Sequence, residues 1–138
     1  MIISSVDEMV ELGARIGTTL QAGDVILLSG ELGAGKTALT RGIGQALGFT
    51  DVTSPTFVIA KIYNGALPLV HVDAYRLLGH ELGAFDDLDL ETRIPRSVTV
   101  IEWGESFIDR IAPDHATIRI SHGASENERI VELTGISL

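Results

Sequence analysis

Gly30-Glu31-Leu32-Gly33-Ala34-Gly35-Lys36-Thr37 decides how this chain folds. The stretch satisfies G-x-x-x-x-G-K-[ST], the phosphate-binding P-loop, at every defined position. Its flanks have the form that the motif needs. Val25-Ile26-Leu27-Leu28 is an unbroken apolar run, which predicts a strand buried on both sides. Lys36 to Leu47 reads as a helix, with Gly48 placed to end it. Gly33 and Gly35 let the backbone curl so that N–H groups point inward, and the helix N-terminus adds partial positive charge. In such a loop Lys36 neutralises β- and γ-phosphate charge, and the Thr37 hydroxyl ligates Mg²⁺. A glycine-rich turn without a ligand is the plainer reading, and the strand–loop–helix context counts against it.

Outward from this unit, Ser5-x-x-Glu8 is a capping-box signature, and Met9, Leu12, Ile16 and Leu20 follow at helical spacing. They predict a helix from about Val6 to Leu20, preceded at Met1–Ser4 by a short strand or a tail. Pro55 forces Ser54 out of helical geometry, so Thr50–Pro55 is extended or looped. Thr56–Tyr63 and Leu69–Asp73 are strand candidates around Asn64-Gly65, a hairpin turn signal that makes them antiparallel. Leu78 to Arg96 is acidic and weakly helical, which predicts a solvated surface. Val98–Ile101 reads as a second buried strand and Glu105–Ile111 as a short helix closed by Pro113. Ala116–Ser121 and Arg129–Leu133 alternate as a terminal hairpin. The fold class is therefore α/β and P-loop NTPase-like: a central, mostly parallel sheet with an antiparallel hairpin and helices on both faces. One such domain accounts for residues 1–138.

Composition narrows the function. The chain has 45% hydrophobic residues and a mean hydropathy of +0.28, values of a globular chain without disorder. No cysteine is present, so there is neither a disulfide framework nor a thiolate metal site. No basic n-region, long apolar segment or membrane-length run is seen, so a cytoplasmic protein without signal peptide or anchor is expected. Ten basic residues stand against 19 acidic ones, a net charge of −9. Lys36 and Lys61 are the only lysines. Nucleic-acid grips need clustered cations, so contact with RNA or DNA is expected through a partner, with a local patch at Arg93 and Arg96 left open.

A P-loop needs an acid at the end of a neighbouring strand to hold Mg²⁺ directly or through water. Asp73 and Glu102 both follow buried strands, where a carboxylate points into the crevice that α/β ligands occupy. One could hold the metal while the other orients water or a substrate hydroxyl. Ser54-Pro55-Thr56 follows the P-loop helix, where a hydroxyl can sense the γ-phosphate, although Ser-Pro-Thr is also an ordinary turn. Arg76 could reach phosphate or pair with the acidic stretch, the second being the better bare reading. His71 sits inside a strand and reads as packing. Trp103 is either a core aromatic or a partner contact. The guanine-reading N-K-x-D does not occur, since the asparagines are Asn64 and Asn127, and this favours ATP.

Together, Gly30–Thr37, Ser54-Pro55-Thr56-Phe57, His71-Val72-Asp73-Ala74-Tyr75-Arg76-Leu77 and Glu102-Trp103 resemble the TsaE family in order and spacing from about Met9 to Trp103. The resemblance implies a P-loop ATPase fold with slow intrinsic hydrolysis. It also implies a complex with TsaD and TsaB, the pair that transfers a threonylcarbamoyl group to a tRNA adenosine beside the anticodon. TsaD would supply the tRNA contacts, and the family drives a nucleotide-dependent step without performing the transfer. By position, Gly33, Ala34, Gly35, Lys36, Thr37 and Ala38 would hold the phosphates, and Thr37 with Glu102 would bind Mg²⁺. Asp73 would assist catalysis or the metal, Thr56 would belong to a switch-like segment, and the helix start near Met9 would border the adenine. Two other readings use the same cradle. A small-molecule kinase would use Asp73 as acceptor base and Arg76, Arg93 or Arg96 as phosphate clamps. A nucleotide-gated binding module would change shape at Ser54–Phe57 with negligible turnover.

Overall fold

The computed structural model describes residues 1–55, 60–75 and 89–138. Thr56 and Phe57 of the expected switch segment, and Arg76, Leu77 and most of the acidic stretch, lie outside the described residues. Strand β1 (Ile2–Ile3) leads into helix α1 (Val6–Gly17), strand β2 (Val25–Ser29) and helix α2 (Lys36–Ala46). Strands β3 (Ala60–Tyr63) and β4 (Leu69–Asp73) follow, then the single turn α3 (Leu90–Arg93) with a 3₁₀ turn at Ile94–Arg96. Strand β5 (Val98–Glu102), the short helix α4 (Ile108–Ile111) and strands β6 (Ala116–His122) and β7 (Arg129–Thr134) complete the chain.

The seven strands form one sheet in the order β1-β7-β6-β2-β5-β4-β3. Its middle, β6-β2-β5-β4, is parallel, and the margins are antiparallel at β4–β3, β6–β7 and β7–β1. The expected α/β architecture is therefore present, and so is the antiparallel pairing of Ala60–Tyr63 with Leu69–Asp73. The C-terminal hairpin enters the sheet rather than standing apart: β6 lies directly beside β2.

Alternation divides the strand residues between two layers. Ile26, Leu28, Leu69, Val98, Val100, Ile118 and Ile120 face α1 and α2, meeting Met9, Leu12, Ile16, Leu39 and Ile43. Val25, Leu27, Val70, Val72 and Ile101 face the opposite way and are covered by Leu90, Phe107, Ile108 and Ala112. Each fully buried aliphatic side chain stabilises the fold by about 1.5–3 kcal/mol. Helix α1 begins at the expected cap: Ser5 Oγ accepts the Glu8 N–H at 3.1 Å, while Glu8 Oε2 reaches one residue past the N-cap to accept the Ser4 N–H at 2.7 Å. It ends at Gly17, not Leu20, where the Thr18 and Thr19 hydroxyls turn back to donate to Arg15 O and Ile16 O, each at 2.7 Å. Helices α1 and α2 cross through glycines. A Cβ on Gly42 would stand 2.0 Å from the Val10 carbonyl oxygen, and one on Gly13 would stand 2.1 Å from that of Leu39. Helix α2 closes at Gly48, whose φ is +94°, with the Phe49 N–H donating to Gly44 O and the Gly48 N–H to Gln45 O. The expected helix at Glu105–Ile111 is confined to Ile108–Ile111. Its start at Phe107 has no side-chain cap, and the Gly104 carbonyl takes the N–H groups of both Phe107 and Ile108.

Candidate functional site at the glycine loop

Strand β2 delivers the chain to Gly30 at the C-terminal edge of the parallel strands, the edge where open α/β sheets bind ligands. Gly30 passes so close to β6 that a Cβ there would meet Ile120 O at 2.8 Å. Gly33 (φ +79°) and Gly35 (φ +111°) then reverse the chain through the left-handed region, which a side chain makes costly. Gly35 is the N-cap of α2 and contributes no side-chain cap. The first-turn N–H groups also lack intrahelical partners, so several backbone donors converge with the positive end of the helix.

Lys36 is 6% exposed, with its ammonium held on three sides. It donates to Gly30 O at 2.7 Å, lies 3.8 Å from Glu102 Oε1 and stands 4.2 Å from the centre of the Trp103 ring. Glu102 is also buried, so each charge has an opposite partner where an unpaired one would be expensive. The other Glu102 oxygen, Oε2, is 2.5 Å from His71 Nε2. The sequence reads His71 as packing. It is indeed wholly buried, and in addition it grips one of the two candidate acids.

Asp73 and Glu102 pair in register on β4 and β5, so the two acids end their strands at the same level. Asp73 is half-buried, and its Oδ1 accepts the Tyr75 N–H at 3.0 Å. The Tyr75 ring meets the Trp103 ring edge-on, with centroids 5.0 Å apart. Trp103 itself holds a left-handed φ of 61°, a conformation that is strained for a bulky residue. Half-buried, it is both a wall of the Lys36 site and a side chain packed against the second core layer. Thr37, half-buried, opens α2 beside it. A Thr hydroxyl and two carboxylates are oxygen donors of the kind Mg²⁺ takes. Among the described residues no cluster of three or more His, Cys, Asp or Glu could hold a metal alone. This donor set suits a cation that shares its shell with phosphate and water.

On its other flank the loop borders a cavity of about 350 Å³ lined by Ser5, Val6, Met9, Ala38, Asn127 and Arg129, among others. Met9 is buried, with its Cε 3.2 Å from where a Gly35 Cβ would be. Arg129 reaches from β7 to donate to Ala34 O at 3.2 Å and also holds Glu126 O and Glu128 O. Sequence reading missed Arg129, which stands 95 positions from its loop partner with no spacing signal to reveal it. A larger cavity, about 480 Å³, lies at the opposite end of the sheet by Asp24, Ile26 and His115. It touches none of the glycine-loop residues, nor Asp73, Glu102 or Trp103, so size alone misplaces the site.

The sheet order and the glycine loop define an α/β domain of the P-loop type. A family model described as threonylcarbamoyl adenosine biosynthesis protein TsaE matches residues 3–131. The chain is 48% identical over 135 residues to the tRNA threonylcarbamoyladenosine biosynthesis protein TsaE of Streptomyces coelicolor, spanning 93% of this chain and 90% of that protein. With the protein so described from Mycobacterium tuberculosis, identity is 42% over 134 residues, covering 91% and 80%. The crystal structure of Bacillus subtilis YdiB matches with a TM-score of 0.77 at 31% identity, covering 99% of this chain and 84% of that one. The chain belongs to the TsaE family, and its role lies in threonylcarbamoyladenosine biosynthesis on tRNA. Among the described residues no helix is long and apolar enough to cross a membrane.

Proposed function

We propose that this chain binds ATP with Mg²⁺ at Gly30–Thr37 and hydrolyses it slowly, as the ATP-driven accessory subunit of tRNA threonylcarbamoyladenosine synthesis. The observation that carries the reading is Lys36, buried at an uncapped helix start between a carbonyl, a carboxylate and an indole. The backbone N–H groups of Gly33, Gly35, Lys36, Thr37 and Ala38 hold phosphate oxygens, while the Ala34 N–H donates to Glu31 O and shapes the loop, and Lys36 neutralises charge as it develops. Thr37 and Glu102 hold Mg²⁺, and Asp73 assists them or orients the attacking water. Bound there, the metal would supply positive charge against the phosphates. The adenine takes the cavity beside Met9, and Thr56 senses the γ-phosphate.

In this reading turnover is slow because no arginine finger is assignable among the described residues, and such a group supplied in trans contributes about 10³–10⁵ in rate. TsaD and TsaB are the partners in this reading, in the cytoplasm. They carry the tRNA, since a chain of net charge −9 is ill suited to grip a polyanion. The test is ATP turnover with and without TsaD–TsaB, for the native chain and Glu102→Ala. Stimulation by the pair, lost in Glu102→Ala, is expected. Turnover indifferent to both the pair and the substitution would overturn the reading.

A further inference from the structure

We propose that His71 is the positioning residue for Glu102, fixing which carboxylate oxygen faces Lys36 and the metal. The inference rests on the metal role given to Glu102 above. His71 lies within β4, in register with Val100, and has no exposed surface. A histidine so enclosed must pair its ring nitrogens within the protein or leave them unpaired. Nε2 stands 2.5 Å from Glu102 Oε2, whereas Nδ1 has no hydrogen-bond partner among the described residues.

Hydrogen-bond accounting therefore selects the tautomer. With the proton on Nε2, the ring donates to the carboxylate and leaves only a bare lone pair on Nδ1. With a proton on Nδ1, a buried donor would be orphaned, the costlier error. The two oxygens of Glu102 thus have separate surroundings. Oε2 is held from β4, deep in the sheet, while Oε1 faces the Lys36 ammonium at 3.8 Å. The terminal torsion of a glutamate is broad, so an unheld carboxylate would exchange its oxygens freely. A donor on the neighbouring parallel strand ties that torsion to the buried middle of the sheet. Hydrogen-bonding partners behind a metal ligand typically govern 10–100-fold of metal affinity.

The test titrates Mg²⁺ into protein holding a fluorescent, non-hydrolysable ATP analogue, and reads the metal concentration at half-change. His71→Met, which keeps the volume and removes the donor, should raise that concentration about 10–100-fold. His71→Gln, which restores an N–H near the Nε2 position, should recover at least half of the loss on a logarithmic scale. If Glu102→Gln raises the half-change and His71→Met does not, the positioning role is overturned while the metal role of Glu102 stands. If Glu102→Gln has no effect, the metal role fails and this inference with it. Should His71→Met not fold, the imidazole ¹⁵N spectrum of the native chain decides. An Nε2–H tautomer whose signals move on addition of Mg²⁺ and the analogue supports the role. An Nδ1–H tautomer, or signals indifferent to the metal, overturns it.

Discussion

On one face of the sheet, α1 and α2 cross so closely that their backbones touch through Gly13 and Gly42. On the other, α3 and α4 are single turns laid over Val70, Val72 and Ile101. Both faces exclude water, yet the chemistry-bearing residues follow only one of them. His71, Asp73 and Glu102 alternate onto the α2 side, where Lys36 and the glycine loop arrive. Long helices locked by backbone contact fix the start of α2, and with it the lysine and the loop. The layer under the one-turn helices reaches the site through Trp103, which packs against it and stands beside Lys36. Rigidity here is concentrated where position matters.

That contrast can be broken most forcefully at Lys36. Lys36→Ala should lower ATP turnover about a hundredfold or more, roughly 3 kcal/mol of barrier, as for other single electrostatic stabilisers. A steady-state rate unchanged by the substitution would leave the closely packed face with nothing to position. Gly42→Ala comes next: forcing a methyl against the Val10 carbonyl should cost about 1–3 kcal/mol of unfolding free energy in urea titrations. Nucleotide affinity should fall alongside; full affinity in the destabilised protein would show that the helix crossing does not hold the loop. Arg129→Ala removes the bond to Ala34 O and should weaken nucleotide binding about fivefold, near 1 kcal/mol, by isothermal titration. The mildest test lies on the other face. Ile108→Val should cost about 0.5–1.5 kcal/mol of stability and leave turnover per folded molecule unaltered. A parallel loss of turnover would mean that the two faces are not separable.

The β2–loop–α2 unit was fully legible in the sequence, because glycine placement, an apolar run and a helix stop are local signals. So were the helix cap at Ser5, the β3–β4 hairpin and the two strand-end acids. What could not be read depends on register between distant segments. His71 and Glu102 are 31 positions apart, and their bond exists only because β4 and β5 are parallel neighbours with Asp73 opposite Glu102. The insertion of β6 beside β2 follows from sheet order, which alternation alone does not specify. The early end of α1 had a different, local origin: Leu20 continues the apolar spacing, but the Thr18 and Thr19 hydroxyls close the last turn on Arg15 O and Ile16 O.

Trp103 is the chain's sole tryptophan, with the Lys36 ammonium 4.2 Å from its ring centre and Tyr75 at its edge. Indole emission responds to a cation moving across its face. Any ligand that draws Lys36 toward a phosphate therefore changes the one strong fluorophore the molecule has, and the protein carries its own optical gauge of the loop.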